Sequence, residues 1–499
     1  MKKIKALFSV LLCLMMICGY SVNYVSANDT EIVNETSDDT TIEEANNEKE
    51  EDVETENTET TKTEEETPKT TAASTKEVPS AKAAGVTVNT TSATLVDMSS
   101  VTGDIEIKSD GLYVGGTSVG ETTLNPNGYE FSGTTTTNNI TVSKDVEAIL
   151  YLNNLNMTIS KAGGCINVSH SNTTIILRNG SVNNLINKLN IGIWGFGYAA
   201  IYKNGSDGNL TITCDRQIAE GSSYRITNNS GALNTTDGTL NVSSTGVHQS
   251  GIGSSYHGTR GIYDEDNSFA NLYVKGGLIY AKGGIHGSGI GSGCGVYLQT
   301  GGKSTAKNMN FSGGYIEAYA NGGGAGIGGG HSTPVDGLYF SNGVQVVAYG
   351  ASYSPGIGSG GNGDDYVASE SSNATGRYDV KNLVISGGET KVTAYGDKNS
   401  NTPGIGSGHV NPGFNSADHK GVLSNVTATP ETNYQGYVKY GTSDTDYSYS
   451  TANPKTPFPT SEEFGTYLQN EAADGNPVYY TQVYFGPYKD NNDIDENAE

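Results

Sequence analysis

From about Val86 onward, hydrophobic and polar residues alternate in short runs that end at glycine, asparagine or serine. A period of two residues places successive side chains on opposite faces of a β-strand. The runs NLYVKGG (271–277) and NMNFSGG (308–314) show this alternation, with Leu272 and Val274 on one face and Tyr273 on the other. Long helical periodicity is absent from this part of the chain. The pattern therefore predicts an all-β protein.

The alternating runs belong to a repeat with three parts. The first part is a run such as NLVISGG (382–388), and the second is a run such as VQVVAYG (344–350). The third part is a Gly-Ile-Gly motif, which we call the GIG motif. It occurs within SGIGS at 250–254 and 288–292, AGIGG at 325–329, and PGIGS at 355–359 and 403–407. Self-similarity at a period of tens of residues is typical of proteins built from stacked repeats.

Three short strands in each repeat favour a right-handed parallel β-helix, a solenoid, over a propeller, whose blades have four antiparallel strands. In such a stack, equivalent apolar residues of successive repeats form internal columns. The glycine pair between the first two strands permits a tight bend with positive φ. The isoleucine of each GIG motif points inward, and its flanking glycines allow close approach of the next repeat.

Composition divides the chain into four predicted segments. Residues 1–27 have a lysine-rich start, an apolar run and small residues at cleavage spacing, which predicts a secretory signal peptide. Residues 28–80 are a Thr/Glu-rich tract with almost nothing to bury, which predicts a disordered acidic linker. We assign 81–424 to the parallel β-helix. We assign 425–499 to a C-terminal β cap or small β module with an acidic tail, and favour the cap.

The net charge of −25 limits the partners of this protein, and more than half of it lies in residues 28–80. An acidic chain is a poor ligand for phosphate backbones, so we expect no nucleic-acid partner. No stretch after the signal peptide has the ~20 apolar residues of a membrane helix, so we expect no membrane span in the mature chain. Cys165, Cys214 and Cys294 are interpreted as small core residues rather than a disulfide framework.

The strongest candidate for ligand binding is a set of tyrosines in the second strand of the repeat. Tyr319, Tyr349 and Tyr395 each follow an inward alanine, so they should point outward and align from repeat to repeat. Lys282 occupies the same place one repeat earlier. Strands lie ~4.8 Å apart, so the rings would stack into an aromatic strip on which sugar rings could pack. The alternative is a structural stack that only shields the sheet.

Two acidic clusters in the insertions after the GIG motif are weaker candidates for a metal site. Asp264 and Asp266 lie in one insertion, and Asp364 and Asp365 lie in another. Closely spaced carboxylates can hold calcium, so calcium is the candidate ion. Neither cluster has the spacing of an established calcium motif, and solvated loop acids are the favoured interpretation of both. The histidines near the GIG motifs are interpreted as surface-loop residues because their offsets from the motif differ.

Several segments together resemble a family of secreted bacterial proteins described as having a carbohydrate-binding domain. The likeness rests on GYEFSGTTTTNNITVSKDVEAILYLNNLNMTIS (128–160), GCINVSHSNTTIILRNGS (164–181) and the GIG repeats, and it covers about 100–425. Some members are right-handed β-helices that bind acidic plant polysaccharides such as polygalacturonate, with calcium involved. The resemblance implies a similar role here. No residue of this chain can be matched one to one with a ligand-binding residue of that family. The long insertions and the acidic linker of this chain also depart from the family's pattern.

These observations lead to three functional hypotheses. The first is an extracellular, non-catalytic protein, secreted or loosely attached to the bacterial surface, that binds a polysaccharide, with an acidic plant or cell-wall glycan as one candidate. The second is an adhesin or structural surface protein that binds other proteins through its insertions. The third is a β-helical polysaccharide lyase or hydrolase. Catalysis is disfavoured because, although Asp364 and Asp365 form an adjacent carboxylate pair, the other signatures of β-helical hydrolases are missing.

Overall fold

A computed structural model describes most of the chain after residue 82, and these residues belong to one compact unit, Glu77–Glu499. The predicted signal peptide and the whole of the predicted linker lie outside the described residues. The described residues are 83–190, 197–216, 236–256, 268–295, 304–361, 379–387, 389–397, 402–408, 421–429, 434–439 and 482–487, with residues 233, 400, 463, 466 and 468.

Apart from Glu463, Thr466 and Leu468, which are helical, the described residues form β-strands joined by turns and short connections. In the first half of the chain the strands are β1 (Val86–Thr87), β2 (Thr94–Asp97), β3 (Ile105–Lys108), β4 (Gly111–Val114), β5 (Thr117–Ser118), β6 (Tyr129–Thr135), β7 (Ile140–Val142), β8 (Glu147–Ile159), β9 (Ile166–Asn167), β10 (Asn172–Leu177), β11 (Val182–Asn187), β12 (Ile201–Tyr202), β13 (Asn209–Cys214) and β14 (Thr239–Ser244). The remaining strands are β15 (Ile252–Gly253), β16 (Phe269–Ile285), β17 (Ile290–Gly291), β18 (Ala306–Asn321), β19 (Ile327–Gly328), β20 (Val335–Phe340), β21 (Gln345–Tyr349), β22 (Ile357–Gly358), β23 (Val380–Ile385), β24 (Lys391–Tyr395), β25 (Ile405–Gly406), β26 (Leu423–Ala428), β27 (Tyr434–Lys439) and β28 (Gln482–Pro487).

Parallel pairing between successive repeats dominates both sheets of this structure. The larger sheet contains the first and second strands of the repeats, and the smaller one contains the GIG strands β15, β17, β19, β22 and β25. Within the larger sheet, β18 pairs in parallel with β16 before it and with β20 and β21 after it. The prediction of an all-β, parallel-strand architecture is therefore confirmed.

The register of these pairs aligns the apolar residues that the alternation placed on one face. Leu272 pairs with Met309, which pairs with Leu338, and all three are fully buried. In the second strand, Ala281 pairs with Ala318, which pairs with Ala348. Phe311 and Phe340 extend another column and stack with their ring centroids 5.1 Å apart. Burying these columns is the main favourable contribution to folding, at roughly 25 cal/mol per Å² of apolar surface.

Glycine makes the bend between the first and second strands of a repeat. Gly277 and Gly314 have φ of +96° and +92°, a region that L side chains rarely adopt. In β16 and β18 the strand continues through the bend, with shifts of register around it. The predicted glycine bend with positive φ is confirmed at both positions.

The GIG motifs approach one another so closely that only glycine fits. Gly253, Gly291, Gly328 and Gly358 have φ between +133° and +144°. A Cβ atom added at Gly291 would lie 1.8 Å from the carbonyl oxygen of Gly328, and one at Gly358 would lie 1.8 Å from that of Gly406. The isoleucines between these glycines are buried, as the motif predicts.

Asparagine side chains at the start of the first strands form hydrogen bonds between repeats. Asn271, Asn308 and Asn382 all have positive φ, and the Nδ2 group of Asn308 donates to Oδ1 of Asn271 at 2.8 Å. Asn271 in turn donates to the backbone carbonyl oxygens of Ser206 and Gly208. These asparagines therefore join successive repeats through hydrogen bonds to the backbone and between side chains.

Antiparallel strands occur at both ends of the described sheets. Near the beginning, β1 pairs with β2, and β3, β4 and β5 form a meander. Near the end, β28 pairs antiparallel with both β24 and β27. Cys165, Cys214 and Cys294 are buried and none of them forms a disulfide, which confirms their interpretation as core residues. Within the described part of the chain, no helix has the length and apolar character needed to cross a membrane.

The close approach of the GIG motifs gives a stability prediction. We expect Gly291→Ala to lower the free energy of unfolding by about 3 kcal/mol or more, because the added methyl group overlaps the carbonyl oxygen of the next repeat. Gly406→Ala is the matched control. Its φ of +150° is similar, but its Cβ would meet nothing closer than Pro403 Cγ at 3.1 Å. Urea unfolding measures both variants, and equal losses would contradict the proposed steric cause.

Candidate functional site

The outward side chains of the second strands bring the predicted ligand-binding residues together. Lys282 on β16 pairs in register with Tyr319 on β18, Tyr319 pairs with Tyr349 on β21, and Tyr349 pairs with Tyr395 on β24. We call Tyr319, Tyr349 and Tyr395 the tyrosine row. All three side chains are half-buried, and Lys282 is exposed. The alignment follows from parallel pairing in register, because each outward position repeats one strand away.

The rings of the tyrosine row stand face to face. The centroids of Tyr319 and Tyr349 are 4.7 Å apart with their planes at 2°, and those of Tyr349 and Tyr395 are 4.9 Å apart at 7°. Parallel rings this close must overlap through their faces, since neighbouring strands are too close for rings to lie flat side by side. The predicted stacking of the rings is therefore confirmed, and the row presents mainly ring edges and phenol groups.

A carboxylate that the sequence interpretation missed lies beside the row. Glu317, two residues before Tyr319 on β18, faces outward from the same strand and accepts hydrogen bonds through both oxygens. The hydroxyl of Tyr315 donates to Oε2 at 2.9 Å, and the hydroxyl of Tyr319 donates to Oε1. Tyr280 on β16 extends this group, with its ring centroid 5.9 Å from that of Tyr315. The same two-residue alternation that identified Tyr319 could have identified Glu317 and Tyr315.

Burial and the charge of Glu317 keep these phenols protonated. Burial is the main cause that raises the pKa of Tyr315 and Tyr319, and their hydrogen bonds to the carboxylate raise it further. Burial also raises the pKa of Tyr280 and Tyr349, with a smaller contribution from the negative charge of Glu317. The site is therefore a set of neutral phenols around one carboxylate at neutral pH.

A second outward pair lies on the first strands. Tyr273 on β16 pairs in register with Asn310, and Asn310 pairs with Tyr339 on β20. The asparagine separates the two tyrosines, so they do not form a continuous stack like the tyrosine row. This pair is a natural comparison for the row because it is half-buried on the same sheet.

The predicted calcium candidates cannot be placed in this site. Asp264, Asp266, Asp364 and Asp365 all lie outside the described residues. Among the residues that the structure describes, no group of three or more histidine, cysteine, aspartate or glutamate side chains could hold a metal ion.

The interpretation of the histidines as surface-loop residues is wrong for His248 and His331, which are each 2 % exposed. The ring centroids of His248 and His286 lie 5.3 Å apart, and those of His286 and His331 lie 4.9 Å apart. The offsets from the GIG motif differ along the chain, but hydrogen bonds between repeats realign the backbone. His331 N, for example, donates to the carbonyl oxygen of His286 at 3.0 Å.

Comparison with known proteins supplies no relative for this chain. No family model matches it, and neither the curated proteins nor the solved structures contain a match. The chemistry of the tyrosine row and Glu317 is therefore the basis for a functional proposal.

The raised pKa values predict how stability depends on pH. The ordinary pKa of a tyrosine phenol, which also applies in the unfolded chain, is about 10. When the pKa is higher in the folded state, the unfolded chain loses the phenol proton first, so a pH above ~10 favours unfolding. We expect titration of these phenols to leave the free energy of unfolding unchanged below pH ~10 and to lower it at higher pH. Glu317→Gln should make the fall shallower, because one cause of the raised pKa is removed. Urea unfolding between pH 8 and 11 measures this, and an unchanged slope would contradict the assignment.

Proposed function

We propose that this protein is an extracellular, non-catalytic polysaccharide-binding protein whose repeats wind as a right-handed parallel β-helix. The observation that carries the proposal of binding is the tyrosine row, in which one type of amphipathic side chain occupies the same outward position in three successive repeats. The predicted signal peptide supports an extracellular location, where polysaccharides are accessible.

The strand pairing supports the proposed winding. Each repeat contributes a first strand, a second strand and a GIG strand, and each pairs in parallel with its equivalent in the next repeat, as for β20 with β23, β21 with β24 and β22 with β25. Connections between parallel strands of one sheet are right-handed in about 98 % of cases. A chain that makes this connection in every repeat would therefore wind as a right-handed solenoid.

The chemistry of the row suits a polymer of sugars. Tyrosine combines an apolar ring edge with a phenol that exchanges hydrogen bonds with hydroxyl groups. A single contact of this kind is weak. Equivalent contacts repeated along a sheet bind a repetitive polymer more tightly, because later contacts form at high effective concentration. Lys282 extends the line of outward side chains by one repeat.

The charges around the row favour binding over cleavage. Most glycoside hydrolases use a pair of carboxyl groups that flank the scissile bond. Of the outward residues on β18, β21 and β24, Glu317 is the one carboxylate, and both of its oxygens already accept phenol hydrogen bonds. This arrangement has no second carboxylate to act as base or nucleophile.

Alanine substitution of the whole row tests the proposal. We expect Tyr319→Ala, Tyr349→Ala and Tyr395→Ala in one variant to weaken retention on a polysaccharide gel by about tenfold or more, because repeated contacts are lost together. Affinity electrophoresis against a panel of soluble polysaccharides measures retention, and circular dichroism checks the fold.

The matched control is the double variant Tyr273→Ala and Tyr339→Ala, which removes half-buried tyrosines from the first strands of the same sheet. Its retention should stay close to that of the unmodified protein. Equal losses in both variants, or no loss in the triple variant, would count against the tyrosine row as the binding surface.

A further inference from the structure

The hydrogen bonds around Glu317 fix which atoms the tyrosines can offer to a ligand. A phenol has one proton, and those of Tyr315 and Tyr319 are both directed at the oxygens of Glu317. Toward a ligand these two hydroxyls therefore present lone pairs, which accept hydrogen bonds. The Glu317 carboxylate is also an acceptor. All three groups therefore offer hydrogen-bond acceptors, and a ligand must supply the donors.

This polarity distinguishes neutral sugars from uronates. A sugar hydroxyl can donate its proton to Tyr315, Tyr319 or Glu317. An ionised carboxylate has no proton to donate, so it cannot pair with any of these three groups. A uronate held at this position would also bring its negative charge close to that of Glu317, at a cost of about 1 kcal/mol at ~4 Å even in water.

The charge of Glu317 acts beyond its two hydrogen-bond partners. It contributes to the raised pKa of Tyr280 and Tyr349, neither of which has a hydrogen bond to it in this structure. Its influence therefore covers strands β16, β18 and β21 of the site. Two lysines occupy outward positions of the second strands on either side of this group, Lys282 on β16 and Lys391 on β24. Lys282 lies one repeat before Tyr319, and Lys391 lies two repeats after Tyr315, where its stem runs beside Gly486 of β28.

From these contacts we infer that the tyrosine row binds an uncharged polysaccharide and that Glu317 is a specificity-determining residue that excludes uronate polymers. The inference rests on the proposed function and adds the charge class of the ligand. It also departs from the acidic glycan that the family resemblance implies. In this arrangement Lys282 donates to hydroxyl or ring oxygens of the same neutral chain.

Binding of the full-length protein to immobilised polysaccharides, measured by biolayer interferometry, tests the inference. The neutral probes are galactomannan and hydroxyethylcellulose, and the uronate probe is polygalacturonate. We expect the unmodified protein to bind at least one neutral polymer more tightly than polygalacturonate. Glu317→Gln should raise the affinity for polygalacturonate by about fivefold, the size of one unit-charge interaction at ~4 Å in water. The gain should shrink at 1 M salt, where charges are screened within ~3 Å.

The control is Glu147→Gln, which removes an exposed carboxylate at the start of β8. It changes the net charge of the chain by the same amount, so it separates the local charge of Glu317 from general repulsion between an acidic protein and a polyanion. We expect it to leave the ratio of the two affinities unchanged. Equal gains for both glutamine variants would overturn the inference.

The remaining outcomes separate the inference from the proposed function. If the unmodified protein binds polygalacturonate as tightly as any neutral polymer, or Glu317→Gln leaves the ratio unchanged, the charge selection is wrong and polysaccharide binding stands. If the unmodified protein binds none of the polymers while circular dichroism shows a folded β protein, the proposed function itself is overturned, and the inference with it.

Discussion

The contact between successive GIG motifs sets the spacing on which the rest of this structure depends. At Gly253, Gly291, Gly328 and Gly358, the carbonyl oxygen of the next repeat occupies the space that a side chain would need. Backbone hydrogen bonds between parallel strands hold their spacing at ~4.8 Å. Because one repeat contributes strands to both sheets, a widening at the GIG strand would also disturb the apolar columns and the outward rows of the larger sheet.

The same spacing decides the form of the candidate binding surface. Tyrosine rings that repeat at one outward position are too close to lie flat, so they stand face to face and cover each other's apolar faces. This packing leaves ring edges and phenol groups for a ligand. The surface is therefore more polar than three adjacent tyrosines in an open arrangement would be, and a ligand bound there would be recognised more through hydrogen bonds than through stacking.

Glu317 determines whether the phenols next to it act as hydrogen-bond donors or acceptors toward a ligand. Because it accepts hydrogen bonds from the hydroxyls of Tyr315 and Tyr319, those hydroxyls offer lone pairs to a ligand, and its charge would oppose an anionic ligand at the same place.

The sequence by itself determined the all-β class, the parallel repeats, the inward apolar columns, and the outward alignment of Lys282 with Tyr319, Tyr349 and Tyr395. These follow from a two-residue period and a recurring GIG motif, which are local properties of the chain. Only the tertiary structure decided that Glu317 accepts hydrogen bonds from two phenols, and that His248 and His331 are buried against the ring of His286. Those features depend on distances between side chains of different repeats, and residues far apart in the chain acquire such distances only when the repeats pair.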